Sequence, residues 1–215
     1  LGPDVEAFEA EMAAFSGVQH AVAVRNGSDA LIVALMALGI GPGDEVIVPT
    51  FTFFASAGAV ARVGAKPVFV DILPDTFNVD PKAVEAAITL RTKAIVPVHL
   101  YGQLANMETL GKIAARHKLA VVEDGAQAVG AKRNDHGLAT HGTCATLSFY
   151  PTKNLSAVGE GGMVLTNDAQ LASRIKALRN HGQTGTYEHQ WIGGNFRLDG
   201  IQGAALRVKL GKLPE

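Results

Sequence analysis

Ser148-Phe149-Tyr150-Pro151-Thr152-Lys153-Asn154-Leu155 carries a single lysine just past an apolar strand, on a turn marked by proline, and the glycine-rich run Gly159-Glu160-Gly161-Gly162 follows it. The usual fate of a lysine is a solvated surface position. One held by stiff backbone at a strand end suits another use. An amine freed of its proton by its surroundings attacks carbonyls and forms Schiff bases. Upstream, Val121-Val122-Glu123-Asp124-Gly125-Ala126-Gln127 is a second apolar strand, ending in a carboxylate. Standing alone, Asp124 reads as a turn-capping aspartate. Together with Lys153 it fits pyridoxal phosphate, which needs an amine for its aldehyde and an anion for its ring nitrogen.

Outward from these two stretches, strand-like and helix-like segments alternate. Helical spacing of apolar residues covers 5–15 and stops at Ser16-Gly17. A short strand at 21–24 leads through the turn Asn26-Gly27-Ser28-Asp29 into a helix over 30–38. Strands are expected at 45–48, 66–70, 94–98, 120–122, 146–150 and 163–166. Helices are expected at 54–62, from Asp80-Pro81 onward, at 107–117, and from the Asn167-Asp168 cap to about Arg179. Such alternation predicts an α/β fold, with a mostly parallel seven-stranded sheet and helices on both faces. Ligands of such sheets sit beyond the carboxyl ends of the strands. Residues 26–29, Thr52-Phe53, His99, Asp124 and 148–153 all fall there.

Composition narrows the function classes. The chain has 215 residues, 47% hydrophobic and 18% charged, with a formal net charge of −1. That describes a globular chain with a sizeable core. No basic stripe points to nucleic acid or an anionic membrane. The longest apolar run, 30–40, is shorter than the ~20 residues that cross a bilayer. The lone Cys144 cannot form an internal disulfide, and with no leader-like segment the expected compartment is the cytoplasm. The histidines lack metal-ligand spacing, so no metal is expected. Gly39, Gly41 and Gly43 follow a helix and precede a strand, the reverse of a dinucleotide fingerprint. The start at Leu1 and the stop at Leu213-Pro214-Glu215 read as trimmed ends.

Several further stretches follow in order: Asn26-Gly27-Ser28-Asp29-Ala30-Leu31, residues 41–49, Thr52-Phe53-Phe54, residues 97–102, residues 123–127, Asn180-His181-Gly182 and residues 194–199. With 148–155 they resemble the DegT/DnrJ/EryC1/StrS sugar aminotransferases, which are fold-type I pyridoxal-phosphate enzymes. The resemblance spans nearly the whole chain. It implies a three-layer fold-type I large domain over 1–215, with the family's smaller C-terminal domain absent from this chain. It implies transfer of an amino group, from L-glutamate, to a nucleotide-linked keto sugar by a cytoplasmic homodimer with shared active sites. Decorated polysaccharides or antibiotic sugars are the usual destinations of such products.

The same resemblance places roles. Lys153 is the Schiff-base lysine and the acid/base of the proton shift. Asp124 pairs with the pyridine nitrogen, where an anion favours the cationic ring, the better electron sink. Gln127 touches the ring hydroxyl. Gly27, Ser28 and Asp29 offer the helix-start backbone to the phosphate, and Ser148 adds a hydroxyl. Phe53 stacks on the ring. Asn195 reaches the phosphate of the neighbouring subunit. Family members often carry histidine where Val129 stands here. Sugar dehydratases of this fold carry histidine in place of the lysine, so Lys153 argues against that relative. Two alternatives remain: a transaminase for a non-sugar ketone, and a non-catalytic truncated homologue acting as regulator or binding partner.

Overall fold

Caps fix most element boundaries. The computed structural model describes residues 2–213; Leu1, Pro214 and Glu215, the expected trimmed ends, lie outside them. Helix α1 (Pro3–Ser16) starts on proline and stops at Gly17, which is left-handed (φ 69°) and lets its N–H return to the last turn. Asn26, Asp80 and Asp168 cap α2 (Gly27–Ala37), α4 (Pro81–Ala86) and α6 (Ala169–Leu178) through their side chains. Asn106 does the same for α5 (Met107–His117). Helix α3 (Ala55–Arg62) has no side-chain cap.

Seven strands form one sheet: β1 (His20–Val24), β2 (Glu45–Pro49), β3 (Lys66–Val70), β4 (Thr92–Ile95), β5 (Ala120–Asp124), β6 (Cys144–Ser148) and β7 (Gly162–Thr166). Their order is β1-β7-β6-β5-β4-β2-β3. Pairing is parallel from β6 to β3, while β7 runs antiparallel to both β6 and β1. The α/β expectation is met. Helix α2 begins earlier than expected, at Gly27, because Asn26 takes the cap position. A small hairpin, β8 (Gln183–Gly185) and β9 (Glu188–His189), and helix α7 (Gly200–Leu210) complete the described residues.

Side chains alternate across each strand, and the helices divide accordingly. Val22, Val46, Ala94, Val122 and Val164 face α2, α3 and α6. On the other face, Ala23, Leu147 and Leu165 meet α1 and α7, while Ile47, Ile95 and Val121 meet α4 and α5. Helix α2 is buried on almost every side, so it needs no polar stripe.

At the opposite rim from the candidate site, buried Glu45 gathers Thr89, Arg91 and Lys66. The Thr89 hydroxyl, and then the Arg91 guanidinium, pull the pKa of its carboxyl down to about 2. A depressed folded-state value gives stability that is present above the ordinary carboxylate value and is lost as pH falls towards 2. Glu45→Gln should therefore melt lower than the parent at pH 7. The two melting curves should converge between about pH 4.5 and 2. A constant gap across that window would contradict the pairing.

Candidate active site

The carboxyl ends of β2, β5 and β6, the end of β1 and the start of β7 converge on one rim. At the end of β5, Asp124 is 5% exposed. Its Oδ1 accepts from the Ala126 N–H (3.1 Å) and its Oδ2 from the Ser56 hydroxyl (2.8 Å). The Ser56 oxygen lies 3.1 Å from the Thr52 hydroxyl.

Beyond Asp124, the chain rises to Gln127. The Tyr101 N–H donates to Gln127 Oε1 (2.7 Å), which settles the orientation of that amide. Its Nε2 donors have no protein partner among the described residues. Tyr101 is non-glycine and left-handed (φ 55°), and its ring is exposed. It sits in a local turn over 100–102.

The lysine turn is anchored at both sides. Phe149 is fully buried and meets Phe8 edge-on, with ring centres 5.4 Å apart. Leu155 and Ala157 are buried on the far side. Truncating a buried phenylalanine typically costs about 3–5 kcal/mol, so Phe149 is a firm anchor. The Lys153 N–H closes the turn on the Tyr150 carbonyl (2.8 Å), and the Asn154 side chain donates to the Val129 carbonyl (2.9 Å). Lys153, Gln127, Val129 and Tyr101 thereby line one cleft. The half-buried Lys153 makes no ion pair or side-chain hydrogen bond among the described residues. Val129 contributes its backbone carbonyl.

A third group forms around the start of α2. A Cβ on Gly27 would lie 2.7 Å from Ser148 Cβ and 3.1 Å from its Oγ. Only glycine lets this backbone come so close to the end of β6. The N–H groups of Gly27 and Ser28 have no acceptor among the described residues, beside the Ser148 hydroxyl. The arrangement is a cup of donors at a positive helix end, suited to a phosphate. Asp29 stands beside this cup. Its N–H donates to Asn26 Oδ1 (2.8 Å), and its carboxylate pairs with Arg25 (2.9 Å). It builds the turn that presents the other two donors.

Phe53 is 74% exposed at the turn between β2 and α3, two positions past Phe51, whose ring packs on Phe77 (5.8 Å). It is free to cover a ligand. Asn195 is exposed, and its neighbour Phe196 accepts from the Arg25 N–H (2.8 Å), which ties residues 195–196 to the β1 end of the cup. On the opposite face of β5 from Asp124, Glu123 binds His99 Nε2 (2.7 Å). The Ala105 N–H donates to His99 Nδ1 (3.1 Å), so the His99 proton sits on Nε2. Burial, and then the Glu123 charge, pushes the Cys144 thiol up to about 12, which leaves it unreactive. Among the described residues, no cluster of histidine, cysteine and acidic side chains could hold a metal ion.

Sequence reasoning missed Ser56. A serine at the start of an alanine-rich helix carries no signal of its own.

A family model described as the DegT/DnrJ/EryC1/StrS aminotransferase family matches residues 1–215. The pleiotropic regulatory protein of Geobacillus stearothermophilus is 57% identical over 209 residues, covering 97% of this chain and 56% of that protein. A UDP-N-acetyl-3-dehydro-α-D-glucosamine 3-aminotransferase of Acidithiobacillus ferrooxidans is 53% identical, covering 97% of this chain and 57% of that protein. The crystal structure of S. venezuelae DesV in complex with a ketimine intermediate superposes with a TM-score of 0.97 at 51% identity, over 100% of this chain and 58% of that one. The chain thus spans a little over half the length of the relatives it matches.

Proposed function

This chain belongs to the DegT/DnrJ/EryC1/StrS aminotransferase family, and on that premise we propose that it is the large domain of a pyridoxal-phosphate enzyme moving an amino group from an amino acid, L-glutamate, to a nucleotide-linked keto sugar. The observation that carries this reading is the convergence of three groups on one rim: a phosphate-ready cup, a fixed carboxylate, and a lysine with no side-chain partner among the described residues.

The residues fit the cofactor. The Gly27 and Ser28 N–H groups and the Ser148 hydroxyl would hold its phosphate. Asp124 would face the ring nitrogen and favour its protonated form, and Gln127 Nε2 would donate to the ring hydroxyl. Phe53 would cover the ring face and exclude water from it. When bound, pyridoxal phosphate supplies an aldehyde for the amine and an electron sink for the adjacent carbanion. Lys153 Nζ is the amine that would hold that aldehyde. With no side-chain partner among the described residues, the same amine would also be the base for the proton on the donor's α-carbon. Asn195 belongs to the phosphate contacts across a homodimer in which two chains complete each site. The UDP-sugar substrate named for the Acidithiobacillus relative supports a nucleotide sugar here. A cytoplasmic setting and a role in building sugar polymers agree with such a substrate.

The test is direct. Pyridoxal phosphate added to the purified protein should give a visible absorbance band that borohydride bleaches, with the reduced adduct on the peptide carrying Lys153. L-glutamate and a panel of dTDP-, UDP- and GDP-linked keto sugars should then yield amino sugars. A reduced adduct on another lysine, or none, would overturn the assignment.

A further inference from the structure

Ser56 is fully buried, and its hydroxyl makes no bond to backbone, the usual habit of a serine in a helix's first turn. Its partners are two side chains. A hydroxyl has one proton, and here it goes to Asp124 Oδ2, because an ionised carboxylate only accepts. Thr52 must then donate to Ser56. The chain runs in one direction: Thr52 Oγ1–H to Ser56 Oγ–H to Asp124 Oδ2.

The geometry has a consequence for the carboxylate. The last torsion of an aspartate is broad when nothing restrains it. Here each oxygen has its own donor, the Ala126 N–H on Oδ1 and the Ser56 O–H on Oδ2. Two donors on two oxygens fix the plane of the group, and each oxygen keeps a lone pair for a ligand. Thr52 also precedes Phe53, so the same turn carries the exposed aromatic ring.

We infer that Ser56, backed by Thr52, is a positioning residue that locks the plane of Asp124 and ties it to the Phe53 turn, so that the anion and the covering ring meet a bound pyridine together. The inference rests on the pyridoxal-phosphate reading above. Ser56 touches neither cofactor nor substrate and acts only through Asp124.

A double-mutant cycle tests this. Binding of pyridoxal phosphate is followed by equilibrium dialysis and by the absorbance band, and melting is recorded without cofactor. Ser56→Ala should weaken binding about tenfold, or about 1.4 kcal/mol, with the melting midpoint held. In an Asp124→Asn background the same change should alter binding less than twofold. Ser56→Thr should restore most of the loss. A full tenfold loss in the Asp124→Asn background, or parent-like binding by Ser56→Ala, would overturn the inference and leave the cofactor assignment standing. Should Ser56→Ala melt markedly lower than the parent, Thr52→Val replaces it. That variant should give a smaller loss of the same kind, again absent in the Asp124→Asn background, and additivity would sink the idea. If the parent itself gives no borohydride-reducible complex at Lys153, the cofactor reading falls first and takes this inference with it.

Discussion

Lys153→Arg is expected to lose amino transfer by about 10³-fold or more while keeping its fold. An arginine retains the charge but stays protonated, so it can neither take an aldehyde nor accept a proton from carbon. Acid/base contributions alone are typically about 10²–10⁴-fold. The structure adds the second half of the expectation. Lys153 makes no side-chain bond among the described residues, and its turn is held by Phe149, Leu155 and the Asn154 side chain instead. Removing the amine therefore should shift stability by no more than about 0.5 kcal/mol, the range of unpartnered surface changes. Single-turnover rates with L-glutamate and melting of the cofactor-free protein measure the two halves. Residual transfer within tenfold of the parent would show that another base does the chemistry.

Gly162→Ala is expected to damage both fold and cofactor binding. A Cβ there would overlap the carbonyl of Asn26 and come within 2.8 Å of Gly27 N. Both are backbone, so no flexible side chain can give way. Overpacking of this kind costs about 1–3 kcal/mol. At this chain length that corresponds to roughly 2–12 °C in the melting midpoint. The displaced atoms are those of the phosphate cup, so affinity for pyridoxal phosphate should fall more than tenfold even where the protein remains folded. Gly159→Ala is the control, since its added carbon meets the end of the Gln202 side chain. If both alanine variants bind alike, the close packing of β7 on the α2 start does not shape the cup.

Much of this architecture is readable from residue pattern. The strand at 66–70 and the helix at 107–117 match the observed boundaries because each is set off by turn residues and has one clear periodicity. The candidate positions Lys153, Asp124, Gln127, Ser148 and Gly27 stand out because they sit near strand ends in recognisable stretches. What stays hidden depends on contacts between distant segments. Ser56 reaches Asp124 across 68 positions, and no local pattern encodes that pairing. Pattern alone places the start of α2 too late, because Asn26 can serve equally as a turn residue or as a cap. Asp29, whose backbone the family resemblance offers to the phosphate, donates its N–H to Asn26 Oδ1 and pairs its carboxylate with Arg25. The antiparallel direction of β7 is also out of reach, since a buried strand reads the same either way.

The position of β1 also bears on how the chain assembles. Among the described residues its only sheet neighbour is β7, and the register matches Val24 with Gly162, far along the chain. The parallel strands β2 to β6 can associate as soon as they emerge during synthesis, but β1 must wait unpaired for a late partner. Contacts of such long sequence separation form slowly. The Gly27–Ser148 junction lies beside that pairing, so the cup of donors at the start of α2 is not complete until β7 has been made and has docked.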